Sequence, residues 1–422
     1  MKGTSMTVAW RPMRAIRRFA LAAVPALWVV AGALPARGDA LDAMEALLKR
    51  TSLRVFDPAR AVTDGELRQI MQAGWNAPTL DGSQPLEFVV IRNRGVLEEL
   101  AGHTSYGKWL TKAPVGIAVL VRTAESPQLF RENGAMAVMR MYYKAQELGL
   151  GITFQGTANR ESMKRSLGVG KNRHLLTVIP VGAPPAGLAL KSPPRAPLAL
   201  TVFQDQLGKA ATLFEGTTAL ARAGRPMREL LDREVDVLSF DGRAVEPDVL
   251  RSVFEAMRAA PSSKNRQPWR WVLVRDPETK ARIARAAKDR VLAEAPVVAV
   301  LAGSYGPPPA DFGTQLKKDP HNTVTKRKLV HFFMPHDLGC ALANLRLGAE
   351  SLGLGVRIAP VGTRGENKVR AALSQGGRDS RHGTMILAAV GLGYAQRTTI
   401  RPRSELPEQR ISYETHGVRG QR

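Results

Sequence analysis

The chain has 422 residues, room for two to three domains at about 150 residues each. Apolar residues make up 44% and charged residues 23%, close to globular averages, which excludes a wholly disordered chain. A single cysteine excludes an intramolecular disulfide framework and a cysteine-built zinc site. The seven histidines show no metal-ligand spacing (His331 and His336 are five apart), so no metal site is assigned. Net charge is +24, of which Lys2, Arg11, Arg14, Arg17, Arg18 and Arg37 supply +6 within residues 1–38. This balance favours anionic partners (phosphates, nucleic acid or a membrane surface) and equally fits an arginine-rich solvated surface. No RNA-recognition signature or zinc finger points to a specific nucleic acid.

Residues 11–18 form a basic segment, and residues 19–36 an apolar run without charge that ends in small residues. That is the layout of a secretory signal over residues 1–38, with Ala31-Gly32-Ala33 as one cleavage triplet. Arg17-Arg18 before Phe19, Ala20 and Leu21 loosely matches a twin-arginine signal. The expected location is periplasmic or secreted. An uncleaved run would be a membrane anchor, and the only membrane contact.

The remainder is one pattern written twice. Leu47 matches Leu230, Pro78 matches Pro261 and Gln84-Pro85 match Gln267-Pro268, all at an offset of 183. The offset is 182 at Ala113-Pro114 and Ala295-Pro296, and 204 at Gly149-Leu150-Gly151 and Gly353-Leu354-Gly355. About 22 extra residues therefore sit in the second copy, within 303–330, a stretch rich in Pro, Gly and Lys that reads as a loop or lid. The expected units are a first domain at 41–200, a connecting segment at 201–222, a second domain at 223–404, and an irregular polar tail at 405–422.

Within each copy the elements follow one order. Glu66–Trp75 and Asp248–Met257 carry apolar residues at helical spacing. FVVIR and WVLVR read as strands, then VGIAVLV and VVAVLAG. GAMAVMRMYYKAQELGLG and DLGCALANLRLGAESLGLG read as long apolar helices ending at glycine. LLTVIPVG and MILAAVG close the copies as strands. The fold class is α+β, helices against a sheet. Trp269, Trp271 and Cys340 read as core, and His336-Asp337 as the opening, and a cap, of the second long helix.

APSSKNRQPWRWVLV at 260–274, KRTSLRVF at 49–56 and, more weakly, GLGITFQG at 149–156 resemble the FMN-dependent nitroreductase family, over roughly 41–200 and 222–404. The resemblance implies two tandem nitroreductase-like sandwich domains, each a central sheet flanked by helices, forming an intramolecular pseudo-dimer with flavin at the interface. It implies a phosphate clamp of Arg50, Ser52 and Arg54, whose alternation would place all three on one face of an extended segment. It implies a flavin-edge loop of Pro261, Ser262, Ser263 and Asn265, with Gln267 structural. Gly156 would sit beside the flavin's reactive nitrogen, and Arg195, or its competitor Lys191, would return to the phosphate. Each feature also has a plain alternative: a solvated basic strand, a proline-bounded turn, surface charge in a linker.

The copies have decayed in complementary ways. At the 183 offset Arg50 keeps its counterpart in Arg233, but Ser52 maps to Val235 and Arg54 to Val237, while Ser262, Ser263 and Asn265 map to Thr79, Leu80 and Gly82. One composite site is expected, with the clamp from copy one and the loop from copy two, hence one FMN per chain. Chemistry would be the flavin's, so no catalytic side chain is assigned. The implied activity is two-electron transfer to a nitro, quinone or related acceptor. NAD(P)H is the family's donor, and a quinol or a protein donor is its substitute outside the cytoplasm. The competing readings are a flavin-sequestering protein with little turnover and an anion- or nucleic-acid-binding protein without flavin.

Overall fold

In a computed structural model, the described residues are 41–104, 107–155, 160–190, 192–217, 224–304, 333–373, 385–401 and 404–418. The N-terminal segment 1–38, Gly156, Lys191 and most of the 303–330 insertion lie outside them.

Both copies place apolar strands under an apolar helix. Copy one contains helix Asp64–Trp75, β1 (Leu86–Ile91), β2 (Val115–Arg122), the first long helix Phe130–Glu147, β3 (Gly151–Ile152), β4 (Arg173–Gly182) and β5 (Val202–Gln204). Copy two contains β6 (Glu234–Phe240), helix Pro247–Arg258, β7 (Trp269–Val274), β8 (Val297–Gly303), the second long helix Met334–Ser351, β9 (Gly355–Pro360), β10 (Met385–Gly393), β11 (Ala395–Arg401) and β12 (Ile411–Tyr413). Every residue of β1 and β8 is buried, because helices cover both faces. Both long helices end as their glycines require. Gly149 (φ 71°) and Gly353 (φ 83°) take the left-handed conformation, and the next N–H returns to Ala145 O and Ala349 O respectively.

One five-stranded sheet has the order β12-β1-β2-β4-β3 and the other β5-β7-β8-β10-β9. Each contains a strand from the opposite copy. β12 pairs parallel with β1, setting Ile411 against Phe88, and β5 pairs parallel with β7, setting Val202 against Trp271. Phe88 and Trp271 are themselves 183 apart, so the exchange is reciprocal and in register. The tail expected to be irregular thus contains a strand. Leu406 and Ile411 are buried, and the free edge of β1 gives the tail's polar backbone a partner.

One core runs through both copies. The two long helices pack together, with Tyr143 Oη donating to Asn344 Oδ1 at 2.7 Å. Gly339 allows the approach, since a Cβ there would lie 2.7 Å from Glu132 O. Trp269, Trp271 and Cys340 are fully buried, as expected of core residues. His336 and Asp337 do not cap the second long helix. It starts at Met334, and they occupy its first turn.

Candidate functional site

The segment after helix Ala43–Leu48 leads Arg50 into the boundary between the copies. Arg50 is 2% exposed, donates from Nε to Ala259 O of copy two at 2.9 Å, and lies 5.5 Å from the Tyr142 ring centre. Its Nη1 is buried without a hydrogen-bond partner. Arg195 reaches the same carbonyls, with Nη2 on Ala259 O at 2.8 Å and Nη1 on Ala260 O and Asn265 Oδ1, both at 3.0 Å. Burial first, then the Arg50 charge, holds Arg195 well below the usual guanidinium range. Arg54 is exposed as a residue, but its guanidinium lies 5.3 Å from the Trp109 ring centre, and burial followed by Arg50 lowers its pKa. Ser52 lies between them, half-buried.

Arg50, Arg54 and Arg195 therefore share one field, and no carboxylate among the described residues pairs with any of them. A buried guanidinium without an opposite charge costs several kcal/mol. A dianionic phosphate supplies that charge and an acceptor for Arg50 Nη1. Along this segment Arg50 is buried, Ser52 half-buried and Arg54 exposed. Arg50 turns inward because its Nε has a carbonyl to meet across the boundary, while Arg54 stays at the rim.

The loop of copy two is over-determined. Lys264, Asn265 and Gln267 have φ of 52°, 55° and 50°, a conformation that costs a side-chain-bearing residue about 1 kcal/mol or more. Several hydrogen bonds hold it. Ser262 Oγ accepts from Gln267 N and Ser262 O accepts from Asn265 N, both at 2.9 Å. Asn265 Nδ2 donates to Pro194 O at 2.8 Å, and Gln267 Oε1 accepts from Ala196 N at 2.9 Å. Gln267 is 2% exposed and serves the loop itself. Ser263 N donates to Asp337 Oδ1 at 2.9 Å. Burial raises the Asp337 pKa, against the pull of His336 and of that N–H. Pro261 and the two serines stay half-buried at the loop's opening. Thus Arg50, Arg195, Asn265 and Gln267 converge, with Ser52, Arg54, Pro261, Ser262 and Ser263 on the same two segments. Gly156 lies outside the described residues.

Sequence reasoning missed Asp337 and its counterpart. In copy one Asn133 Oδ1 accepts from Leu80 N at 2.8 Å. Leu80 and Ser263 are 183 apart, Asn133 and Asp337 204 apart, so the repeat offsets already paired both ends of this bond.

The pseudo-symmetric position is filled with the protein's own charges. On β6, Glu234 and Asp236 flank Val235. Arg401 Nε contacts Asp236 Oδ2 at 2.6 Å, and Arg346 donates to Val235 O at 2.8 Å. The corresponding loop of copy one carries Asp81, which accepts from Ser126 Oγ at 2.6 Å and from Asn133 Nδ2 at 3.0 Å. A phosphate beside β6 would meet the carboxylates of Glu234 and Asp236. Among the described residues no cluster of His, Cys, Asp and Glu could hold a metal, and no helix is long and apolar enough to cross a membrane.

Residues 47–106 and 237–394, together just over half of the chain, match the model of the Nitroreductase family. The chain therefore belongs to the nitroreductase family, and the two matched segments fall one in each copy. Two archaeal proteins, each named "Putative NADH dehydrogenase/NAD(P)H nitroreductase", are similar to it. The one from Archaeoglobus fulgidus is 25% identical over 34% of this chain and 86% of its own. The one from Methanothermobacter thermautotrophicus is 27% identical over 34% of this chain and 78% of its own. The solved FMN-dependent nitroreductase of Clostridium difficile is 22% identical, covering 34% of this chain and 89% of that chain with a TM-score of 0.32.

Proposed function

We propose that this chain is an FMN-dependent oxidoreductase working through one composite site per chain. The observation that carries the reading is Arg50. It is fully buried at the boundary between the copies, fixed through Nε to the loop of copy two, and left with Nη1 unpartnered. Arg50, Ser52, Arg54 and Arg195 would hold the FMN phosphate. Pro261, Ser262, Ser263 and Asn265 would face the ring edge, with Gln267 holding the loop and Gly156 near the reactive nitrogen. Bound FMN would supply two-electron transfer between a donor and an acceptor. The chain's own residues neutralise the phosphate, keep the strained loop in its bound shape before the cofactor arrives, and shield the ring edge from water. Cofactor affinity then does not have to cover the cost of ordering the loop.

The electron donor named for the archaeal relatives is NAD(P)H, and it is part of the proposal here, with a quinol or protein donor as its substitute. A nitro compound or quinone is the proposed acceptor. The basic and apolar N-terminal segment supports export to the periplasm or beyond. The test is an absorbance spectrum of the mature protein, with flavin released by heat and counted per chain, followed by reoxidation by quinone and nitroaromatic acceptors. The expected result is about one FMN per chain and reoxidation by an acceptor. Flavin without reoxidation would make the chain a flavin-sequestering protein. No flavin after incubation with FMN would overturn the reading.

A further inference from the structure

We propose that the cavity between the first long helix, the segment after β3 and the first turn of the second long helix binds a carboxylate, and that it selects small acidic aromatic acceptors for the adjoining redox site. The second half of this statement rests on the function proposed above; the first stands without it.

The cavity is about 20 Å³, somewhat more than one water needs, so it suits the head of a ligand rather than a whole one. Arg131, Gln155, Arg160, His174 and His336 line it, with no Asp or Glu among its lining residues. Gln155 is 4% exposed, and both its amide oxygen and its amide nitrogen are buried without hydrogen-bond partners. Arg131 Nε is in the same state. Each such atom carries an uncompensated desolvation cost until it is satisfied. A carboxylate that accepts from Arg131 Nε and from Gln155 Nε2 satisfies these two donors at once, and leaves only Gln155 Oε1, an acceptor, to be met by another donor.

The field inside is positive. Burial first, then Arg160 and Arg131, pushes His174 down to about 3, so its ring is neutral at working pH. Burial lowers Arg160 to about 9. The nearest carboxyls do not cancel this field. Glu132, beside Arg131 in sequence, is raised to about 7 by burial, and Asp337 Oδ1 is engaged by Ser263 N. The donors are guanidinium and amide groups that suit an anion, and the small volume favours a planar carboxylate over a bulkier tetrahedral dianion.

Position links the cavity to the redox site. His336 Nδ1 is 3.6 Å from Asp337 Oδ1, and the same oxygen accepts from Ser263 N in the flavin-edge loop. Gln155 follows β3, where Ile152 O accepts from Leu53 N between Ser52 and Arg54. A carboxylate in the cavity would hold the rest of an aromatic acceptor toward the loop.

The test compares 4-nitrobenzoate with neutral 4-nitrobenzyl alcohol, by calorimetry at low salt and then by steady-state reduction. The expected result is at least about tenfold tighter binding of the benzoate. Arg131→Met and Gln155→Leu should each cut that preference by about tenfold, raising KM for the benzoate alone. Arg228→Met, an exposed control for net charge, should leave it unchanged. Equal binding of the two ligands by the wild-type protein, or a preference surviving in both cavity variants, would overturn the proposal. Normal reduction of the alcohol without benzoate preference would remove this site and spare the oxidoreductase reading. Benzoate preference in a protein that takes up no flavin would do the reverse.

Discussion

The two composite sites of this chain began from one pattern and ended with opposite electrostatics. At the first, Arg50 and Arg195 converge on the Ala259 and Ala260 carbonyls and Asn265, with Arg54 at the rim, and no carboxylate among the described residues answers their charge. At the second, Glu234 and Asp236 occupy the strand beside Arg346 and Arg401, and Asp81 of the loop is held by the Ser126 hydroxyl and the Asn133 amide. The difference teaches how a duplicated site is lost while its scaffold stays. Backbone features persist on both sides. Gly82 keeps the left-handed conformation (φ 72°) of its counterpart Asn265, and Asn133 keeps the loop bond of Asp337. What differs is the side chains: Ser52, Arg54, Ser262 and Ser263 have Val235, Val237, Thr79 and Leu80 as counterparts, while Arg50 has Arg233. A position that binds nothing has to balance its own charge, because an unpaired buried ion costs more than the lost interaction returned.

The largest effect that would break this comparison is at Arg50. Arg50→Ala should lower FMN affinity about a thousandfold, ~4 kcal/mol, measured by titration of released flavin. Wild-type affinity in that variant would mean that the charged pole lies elsewhere. Next is the exchanged strand. Deleting residues 404–422 removes the buried Leu406 and Ile411 from the first sheet and should cost about 3–4 kcal/mol in chemical denaturation. A variant as stable as the full chain would show that the tail contributes nothing to copy one.

Glu132 gives a smaller, pH-dependent effect. Its folded pKa, about 7, is raised above the ordinary carboxyl value by burial. The fold therefore carries no penalty below about pH 4. The penalty grows as pH rises toward 7 and stays constant above, up to about 3 kcal/mol. Glu132→Gln should flatten that slope in denaturation curves taken between pH 4 and 8, and an unchanged slope would place its origin in another group. The smallest effect expected is none. Val235→Ser restores one clamp hydroxyl to copy two but leaves Glu234 and Asp236, so flavin should stay at one per chain. A second bound flavin would show that the acids do not exclude it.

Much of the scaffold was legible in order along the chain. The long helices, the strands FVVIR and WVLVR, and the glycine stops all follow from periodicity and from φ preferences local to each residue. The offset of 183 located the clamp and the loop. It did not place Arg50 on Ala259 O or Arg195 on Ala260 O, because those bonds join segments about 209 and 65 residues apart. The capping role expected of His336-Asp337 failed for a similar reason: Asp337 turns to a loop N–H from another part of the chain.

By itself the sequence determined the duplication, the α+β class and the family, since these depend on residue types at fixed spacing. The tertiary structure alone decided the rest. It exchanged β5 and β12 between the copies, set Glu234 and Asp236 beside Arg346 and Arg401, and left Arg50 and Gln155 with buried atoms in want of a partner. Those outcomes depend on which groups lose water together when the two copies close on each other, and no local pattern records that.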